Sequence, residues 1–335
     1  MNLVIPMAGR GTRLRPHSLT VPKPLIPIAG KPIVQRLVED IAKVSTEKLD
    51  NIGFIIHPSF GKEVEEHLLS VAQELGARGH IFYQEQALGT AHAILCAEPL
   101  LKGPVIVAFA DTLFRANFTL DAEKDGIIWV QKVEDPKAFG VIKVNNDNVI
   151  TDFVEKPQEF ISDLAIIGIY YFKDGDYLRS ELQYLIDNDI KDKGEYQLTN
   201  AMENMKNKGS QFVPGQVEDW LDCGNKDVAV DTNQRYLNFI QDENLVHASA
   251  NIQNSVIIPP CFIGENVSLH NSVVGPHVSI GKNTKITDSR IKNTIVQTNA
   301  TIENLVLDNS MVGNHASYHG RARDFSLGDY NVIKD

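Results

Sequence analysis

The last third of the chain carries a regular repeat of aliphatic residues. From Ile252 onward an aliphatic residue recurs every five or six positions, and every third one belongs to a series with steps of 16 or 17 residues. The three series are Ile252, Leu269, Ile286, Ile302; Ile257, Val274, Ile291, Leu307; and Ile263, Ile280, Val296, Val312. Interleaved series with one pitch predict a triangular coil of about four turns, each of which contributes three inward side chains.

Glycines mark the expected corners of this coil, because a residue without Cβ suits a tight turn. The glycines that directly follow an inward aliphatic residue are Gly264, Gly275, Gly281 and Gly313. The pattern resembles the hexapeptide-repeat, left-handed parallel β-helix. A run of loosely paired strands is the alternative, which the agreement of three series disfavours. We therefore expect a β-helix over residues 250–320 and a C-terminal tail over residues 321–335.

Length, charge and cysteine content limit the number of domains, the cellular compartment and the kinds of partner that we expect. At 335 residues the chain exceeds the usual size of one hydrophobic core, so we expect two domains. The net charge of −11 argues against nucleic acid as a partner, because a phosphate backbone needs a basic face. A small phosphorylated ligand needs only local cations. Three widely spaced cysteines, and no apolar run of roughly 18 residues, predict a reduced, cytoplasmic protein with no membrane partner.

Residues 1–242 show short apolar runs that alternate with amphipathic stretches. The predicted strands are Leu3–Met7, Ile52–His57, His80–Gln84 and Val105–Ala110, and the predicted helices are Ile33–Val44, Lys62–Leu75 and Thr90–Ala97. This alternation predicts a parallel sheet with helices on both faces. We place the functional site beyond the carboxyl ends of the strands, where ligands bind in such sheets.

Beyond Asp111 the apolar runs lie closer together, which predicts an antiparallel extension packed over the site. Its predicted strands are Gly126–Val133, Phe139–Val144, Val149–Val154 and Ile166–Phe172, followed by helices near Asp176–Asn188, Leu198–Lys208 and Asn225–Gln241. The expected fold class is α/β, with a Rossmann-like mixed sheet over residues 1–242 and the C-terminal left-handed parallel β-helix after a polar boundary at 243–250.

A glycine-rich loop, Gly9-Arg10-Gly11-Thr12-Arg13, follows the first predicted strand. Glycines let a backbone turn sharply and present N–H groups to phosphate oxygens, and Arg13 adds a bidentate donor. The loop is neither a dinucleotide fingerprint nor a Walker P-loop, since GxGxxG and GK[ST] are both missing. Taken alone, it predicts a phosphate contact and no particular reaction.

Lys23 follows in the segment Pro22-Lys23-Pro24, where flanking prolines fix the backbone. The pattern G-x-G-T-R, eight residues, P-K-P resembles the sugar-1-phosphate nucleotidyltransferases, a family that includes glucose-1-phosphate thymidylyltransferases and UTP–glucose-1-phosphate uridylyltransferases. One departure is Ala8, where most of the family has glycine. The uridylyltransferases tolerate alanine there, so the choice of base stays open.

The resemblance implies a role for each motif. Arg13 and Lys23 become catalytic residues, and Ala8, Gly9, Gly11 and Thr12 contact the nucleotide. Asp111, after the strand Val105–Ala110, and Asp222, in Trp-Leu-Asp-Cys-Gly, correspond to the metal aspartates that hold Mg²⁺. A helix cap or turn is the structural alternative for Asp111, and the motif that contains Asp222 is short.

The remaining motifs are assigned to the base and the sugar. The resemblance places Gln84 and Gly89 at the edge of the base, and a glutamine amide matches the O4/N3 edge of a pyrimidine. The residues that it places around the sugar phosphate are Gly140, Glu155, Lys156, Gly168, Tyr170 and Glu195. Ile166 stands where N-acetylglucosamine-1-phosphate enzymes carry asparagine, which favours glucose.

The implied reaction is attack of glucose 1-phosphate on the α-phosphorus of dTTP or UTP, with release of pyrophosphate. One alternative is a non-catalytic assembly or regulatory subunit, which should have lost charged site residues. Another is a bifunctional enzyme with acyltransferase activity in the β-helix. We interpret His315 and His319 as surface residues, because a zinc site needs more ligands than the local sequence supplies. The β-helix is then a structural element through which we expect a homo-oligomer to form.

Overall fold

The computed structural model describes residues 1–9, 11–45, 47–116, 120–321, 324 and 326–332. Arg10 of the glycine loop and part of the predicted tail lie outside the described residues. The chain divides into two compact units, Met1–Pro27 with Lys31–Val228, and Ile28–Gly30 with Ala229–Asp335.

The helices agree with those predicted from the sequence to within a few residues. They are α1 (Ile33–Val44), α2 (Lys62–Glu74), α3 (Thr90–Leu95), α4 (Gly175–Asp187), α5 (Leu198–Asn207) and α6 (Lys226–Phe239). Helix α1 shows why the pattern is predictive, because its face of Ile33, Leu37 and Ile41 is at most 1% exposed. The described helices include none that is both long and apolar enough to cross a membrane.

The first unit contains one large sheet and several shorter strands. Its strands are β1 (Asn2–Pro6), β2 (Pro27–Ile28), β3 (Lys31–Pro32), β4 (Asn51–Ile56), β5 (Arg78–Tyr83), β6 (Val105–Ala108), β7 (Thr112–Arg115), β8 (Gly126–Lys132), β9 (Val141–Val144), β10 (Ile150–Val154), β11 (Leu164–Phe172), β12 (Phe212–Gln216) and β13 (Asp219–Asp222). A nine-stranded sheet runs in the order β10-β9-β11-β6-β1-β4-β5, and β8 pairs with both β11 and β12.

The parallel part of this sheet confirms the prediction, since β6, β1, β4 and β5 all pair in parallel. The predicted antiparallel extension is also present, and residues of β11 such as Ile166 and Tyr170 line one of the cavities described below. Strand β11 pairs directly with β6, from Ile169 opposite Ala108 to Phe172 opposite Val105, so these strands continue the same sheet.

Five short strands had no sequence prediction, namely β2, β3, β7, β12 and β13. Strand β12 contains Pro214 and Gly215, which are rare within strands, and β7 and β13 are only four residues long. Strands β7 and β13 form their own antiparallel pair, with Asp222 opposite Thr112. This small pair sets the position of one predicted metal ligand.

The described residues of the second unit include thirteen short strands, which form three parallel sheets. They are β14 (Asn251–Gln253), β15 (Val256–Ile257), β16 (Cys261–Ile263), β17 (Ser268–His270), β18 (Val273–Val274), β19 (Val278–Ile280), β20 (Lys285–Thr287), β21 (Arg290–Ile291), β22 (Thr294–Val296), β23 (Thr301–Glu303), β24 (Val306–Leu307), β25 (Ser310–Val312) and β26 (Ser317–His319). Strands stack from one turn of the coil to the next, which is the architecture of the left-handed parallel β-helix.

The strand register confirms all three aliphatic series. In the first sheet Ile252 pairs with Leu269, Leu269 with Ile286, and Ile286 with Ile302. The residues of the other two series pair in the same way. Tyr318 extends the first series into a fifth strand, β26, that the sequence did not predict. An aromatic residue broke the aliphatic pattern there.

The corners differ from the prediction, because asparagine and not glycine takes most left-handed conformations. The corner residues with positive φ are Asn254, Asn266, Asn271, Asn283, Asn293, Asn299, Asn304, Asn309, His277, Asp288 and His315, beside Gly275. Short polar side chains tolerate this region and bond to each other, as Asn266 does to Asn283 at 3.3 Å. Gly264 and Gly281 allow successive turns of the coil to stack closely, because a Cβ at either position would lie within 3.0 Å of the backbone of the next turn.

Helix α6 crosses from the first unit into the second. From Ala229 its residues count with the β-helix, whereas the sequence placed the domain end at residue 242. Within the second unit, the buried Asn233 explains the difference, because its Oδ1 accepts hydrogen bonds from the Ala29 amide at 2.9 Å and the Ser279 hydroxyl at 2.7 Å.

Replacing Ile286 by alanine should destabilise the β-helix by about 2–5 kcal/mol, because Ile286 is 0% exposed in the middle of a sheet. Lys285 of the same strand points outward, and Lys285→Ala should change stability by no more than about 0.5 kcal/mol. Urea unfolding of both variants measures the difference. Equal effects would contradict the inward assignment of the aliphatic series.

Candidate functional site

The loop after β1 is held in place by close packing against Lys23. Gly11 has φ +58, and a Cβ there would lie 2.7 Å from the Cβ of Lys23. The Ser18 hydroxyl donates to the Gly11 carbonyl oxygen at 2.6 Å, and Leu14, which follows the loop, is completely buried. Glycine is therefore required at position 11 by both conformation and space.

Lys23 connects this loop to the end of β6. It begins a short helical turn, Lys23–Leu25, after Pro22, and only 7% of the residue is exposed. Its Nζ lies 3.0 Å from Oδ2 of Asp111, whose side chain is 45% exposed. A buried ammonium held by one carboxylate leaves the other donors of the ammonium available to an anionic ligand.

Asp222 lies beside Asp111 because β7 and β13 pair. The Cys223 amide donates to the Asp111 carbonyl oxygen at 3.0 Å, and Asp222 Oδ1 accepts from the Gly224 amide at 2.8 Å. Burial raises the pKa of Asp222, and the negative charge of Asp111 raises that pKa further. The two carboxylates therefore repel each other, and a cation between them would relieve that repulsion.

We call the space beyond β1 the loop cavity. Its volume is about 360 Å³. It is lined by Pro6, Met7, Ala8, Gly9, Gly11, Thr12, Arg13, Lys23, Pro24, Gln84, Ala87, Gly89, Thr90, Ala93, Phe109, Ala110, Asp111, Glu195 and Gly224. Loops that follow β1, β5 and β6 thus meet at one edge of the sheet, as the parallel topology predicts.

A second space, the strand cavity, has a volume of about 240 Å³. It is lined by Arg13, Thr90, Phe109, Asp111, Thr112, Ala138, Phe139, Gly140, Glu155, Ile166, Ile167, Gly168, Tyr170, Gln197, Leu198, Thr199, Trp220 and Asp222. Arg13, Thr90, Phe109 and Asp111 line both cavities. Arg13 of the glycine-rich loop and Asp111, the first predicted metal ligand, therefore lie where the two cavities meet.

Gln84 and Gly89 lie together at one end of the loop cavity. The Gln84 amide nitrogen donates to the Gly89 carbonyl oxygen at 3.3 Å. Gly89 has φ +113, and a Cβ there would collide with the Tyr196 carbonyl. A third cavity, of about 570 Å³, borders the same end of the loop cavity, because both are lined by Ala8, Gly9, Gln84 and Ala87.

Acidic and aromatic groups surround the strand cavity. The Thr199 hydroxyl lies 3.5 Å from Oε2 of Glu155, whose side chain is 15% exposed. Burial raises the pKa of the Tyr170 hydroxyl far above its ordinary value, and the charges of Glu155 and Asp111 raise it further. Tyr170 therefore stays protonated, while Glu155 offers acceptor oxygens to a hydroxylated ligand.

Two of the residues that were assigned to the sugar phosphate do not line the strand cavity. Glu195 was assigned to the sugar phosphate but lines the loop cavity, where its carboxylate accepts from the Gln197 amide at 3.1 Å. Lys156 lines neither cavity, and its Nζ lies 3.4 Å from Oε1 of Glu155 with half of the side chain exposed. Sequence order placed both residues near the site without fixing which side of it they face.

Two residues shared by both cavities, Thr90 and Phe109, were not predicted. The Thr90 hydroxyl donates to the Gln197 side chain at 3.1 Å and accepts from the Leu198 amide at 2.9 Å. Phe109 packs edge-on against Tyr170 with ring centroids 6.1 Å apart. The only sequence signal was position, because Thr90 follows Gly89 and Phe109 lies near the end of the apolar run Val105–Ala110.

A divalent cation at this site would depend on its substrates for most of its ligands. The described residues contain no cluster of three or more His, Cys, Asp or Glu side chains able to hold a metal. Asp111 and Asp222 supply two carboxylates, which suits Mg²⁺, since that ion binds one or two carboxylates and completes its shell with phosphate oxygens and water.

The mixed sheet, the loop beyond β1 and the appended β-helix together define a two-part α/β protein of the nucleotidyltransferase class. The family model described as Nucleotidyl transferase matches residues 3–238, and the chain belongs to that family.

Individual relatives differ in how much of each protein aligns. The chain is 31% identical over 268 residues to the Bifunctional protein GlmU of Methanococcus vannielii, a match that covers 77% of this chain and 59% of the relative. The chain thus spans less than two thirds of that relative's length. It is 27% identical over 364 residues to the Glucose-1-phosphate thymidylyltransferase of Streptomyces antibioticus, with 100% of this chain and 99% of the relative covered.

Among solved structures, a UDP-glucose pyrophosphorylase complexed with UDP-glucose is similar in fold. Its TM-score is 0.58 at 24% identity, and the match covers 71% of this chain and 98% of that one. At this identity the likeness shows a shared fold over the matched part of the chain.

Proposed function

We propose that the chain transfers a nucleotidyl group from UTP or dTTP to glucose 1-phosphate and releases pyrophosphate. The observation that carries this proposal is that Arg13 and Asp111 line both the loop cavity and the strand cavity. A triphosphate in one cavity and a sugar phosphate in the other would meet at these residues. Family membership and the names of the relatives, a thymidylyltransferase among them, support the same reaction.

The reaction consists of one displacement. An oxygen of the sugar phosphate forms a bond to the α-phosphorus, and the bond from that phosphorus to the bridging oxygen breaks, so that pyrophosphate leaves. The attacking monoester is already anionic, so no side chain has to remove a proton. Catalysis then depends on positioning and on compensation of negative charge.

Lys23 and Arg13 supply the positive charge. Lys23 is preorganised, because burial and its 3.0 Å contact with Asp111 fix the ammonium before a ligand arrives. Arg13 reaches both cavities and would contact the triphosphate on one side and the incoming phosphate on the other. Lys156 needs to leave Glu155 to align the sugar phosphate, which its half-exposed side chain permits.

We propose Asp111 and Asp222 as the protein ligands of Mg²⁺, and their mutual repulsion supports a cation between them. When bound, the ion would offset phosphate charge at the reacting centre. The two carboxylates would keep the ion in one place, because a hydrogen bond from the Gly224 amide fixes Asp222 and the contact with Lys23 fixes Asp111.

The strand cavity favours glucose over an N-acetylated sugar. Ile166 lines it beside Gly140, and a Cβ on Gly140 would lie 3.3 Å from Cδ1 of Ile166. An acetamido group there would find no amide partner from Ile166, and an unpaired buried amide is costly. Glu155 and the Thr199 hydroxyl offer polar contacts to the sugar hydroxyls.

The alternatives receive less support. A non-catalytic subunit would have lost charged site residues, yet Arg13, Lys23, Asp111 and Asp222 all line the cavities. A second activity, acyl transfer by the β-helix, is the other alternative, and one relative is named as bifunctional. Turnover of acetyl-CoA with an amino-sugar phosphate would establish that activity. In the β-helix, His319 contacts Glu303 at 2.8 Å, as a surface pair does.

We also propose that copies associate through the β-helix. The outer face of its second sheet carries Val256, Val273, Arg290 and Val306 in register, and Val306 is 76% exposed. Light scattering would report an oligomer for the full chain and a shift towards monomer for Val306→Glu. A monomeric full chain would refute this association.

A pyrophosphate-release screen of nucleoside triphosphates against sugar 1-phosphates tests the proposed function. Turnover should be highest with UTP or dTTP and glucose 1-phosphate, and should require both substrates and Mg²⁺. Mass spectrometry of the mixture should detect the nucleoside diphosphate sugar. No turnover with any pair would refute catalysis.

Gly140→Ala should raise the KM for glucose 1-phosphate by about tenfold, because the new Cβ would lie 3.1 Å from Oε2 of Glu155 and intrude on the strand cavity. The KM for the triphosphate should not change, and it serves as the internal control. Steady-state kinetics with each substrate varied in turn separates the two values. A rise in the triphosphate KM alone would contradict the assignment of the cavities.

A further inference from the structure

The side chain of Gln84 is held in one orientation by two partners. It is 8% exposed, and its Nε2 lies 3.3 Å from the Gly89 carbonyl oxygen and 3.1 Å from Nδ1 of His92. A carbonyl oxygen only accepts hydrogen bonds, so the end of the amide that faces Gly89 must be the NH₂ group. Reversing the amide would set two oxygens against each other.

His92 completes this assignment. It lies on α3, one turn from the Gly89 end of the helix, and burial lowers its pKa, which favours the neutral ring. A neutral ring with its proton on Nε2 presents Nδ1 as an acceptor, and that is the partner an NH₂ group needs. Both amide hydrogens of Gln84 are then used inside the protein, one by Gly89 and one by His92.

The carbonyl oxygen of Gln84 is what remains for a ligand. Among the described residues nothing donates to Oε1, and Gln84 lines the loop cavity. An acceptor in this place recognises a ring N–H. Uracil and thymine carry one at N3, whereas N3 of cytosine is an acceptor and would face Oε1 lone pair to lone pair.

We propose that His92 is a positioning residue for base selection: it fixes the Gln84 amide so that Oε1 faces the base, and the site takes uracil or thymine and rejects cytosine. This inference rests on the proposed function, because it assumes that a nucleotide base occupies this end of the loop cavity. It assigns the choice of base to a residue that does not line the cavity.

Calorimetric titration of the full chain with UTP and CTP, in Mg²⁺ buffer without sugar phosphate, tests the proposal. The two nucleotides have the same size, so their affinity ratio reports hydrogen bonding. The wild type should prefer UTP by about 100-fold. His92→Leu removes the acceptor and frees the amide to rotate, so the ratio should fall to about tenfold or less. His92→Asn places Oδ1 near the former Nδ1, and it should restore the ratio to within about threefold of the wild type.

A full UTP preference in His92→Leu would overturn the proposal, and so would a wild type that binds UTP and CTP equally or binds neither. Loss of preference in both variants would also overturn it, because the asparagine keeps the acceptor. Failure of the proposed function gives a different result. In that case UTP is preferred as predicted, but adding glucose 1-phosphate releases no pyrophosphate.

Discussion

Lys23→Met is expected to lower kcat/KM for pyrophosphate release by about 10²–10³-fold. Methionine keeps the length and apolar stem of the side chain but removes the ammonium that lies 3.0 Å from Asp111. In the proposed reaction this ammonium compensates charge that develops on the leaving pyrophosphate, and it does so in a site where it is only 7% exposed. Such a group contributes more in the transition state than in the ground state, so kcat should fall more than KM rises.

Lys43→Met is the matched control. Lys43 also contacts an aspartate, Asp40, at 2.9 Å, but its side chain is 69% exposed on α1 and it lines none of the cavities. This control should retain full activity. Circular dichroism should show that both variants are folded. Near-normal pyrophosphate release by Lys23→Met would contradict the role of Lys23.

Asp111→Asn should cause the second large effect, a loss of at least about 100-fold in kcat/KM together with a higher Mg²⁺ requirement. The substitution keeps the shape of the side chain but removes the charge that both Lys23 and the cation would use. Asp222→Asn should have a similar effect. The double variant should lose little more than either single one, because residues that act as a unit are not additive.

Asp147→Asn, in an exposed turn before β10, is the control and should behave as the wild type. Titration of activity against Mg²⁺ concentration measures both parameters. If Asp111→Asn retained the Mg²⁺ dependence and rate of the wild type, the two aspartates would not be the metal ligands. Activity that persists in excess chelator would contradict the need for a divalent ion.

The β-helix was the part of the fold that the sequence predicted best. Each inward position repeats in every turn, so that Ile252, Leu269 and Ile286 report the same contact several times. The corners were predicted less well. A left-handed backbone conformation suits asparagine as well as glycine. Glycine is needed at position 264 because the next turn of the coil stacks closely there, and the contact is with Ile280, 16 residues away.

The candidate site was predictable where motifs end consecutive parallel strands. Ala8, Gln84 and Asp111 follow β1, β5 and β6, and topology alone brings such strand ends to one edge. Asp222 came from a short motif, and its approach to Asp111 depends on the pairing of β7 with β13, which no periodicity indicated.

Other parts of the site depend on tertiary contacts that leave no local pattern. Glu195 faces the loop cavity because its segment packs against Gly89, whose neighbour Leu88 accepts from the Tyr196 amide at 2.8 Å. The bond between Gln84 and His92 joins a residue just after β5 to a residue of α3. A motif search shows both residues but not the hydrogen bond that orients one of them.

Positional labelling of the triphosphate tests the central claim most directly. UTP labelled at the α-phosphorus is incubated with glucose 1-phosphate, Mg²⁺ and the full chain, and the products are separated. The predicted result is that all transferred label appears in the nucleoside diphosphate sugar, while label placed at the γ-phosphorus leaves in pyrophosphate. Label in free orthophosphate or nucleoside monophosphate, with no labelled sugar nucleotide, would contradict the account.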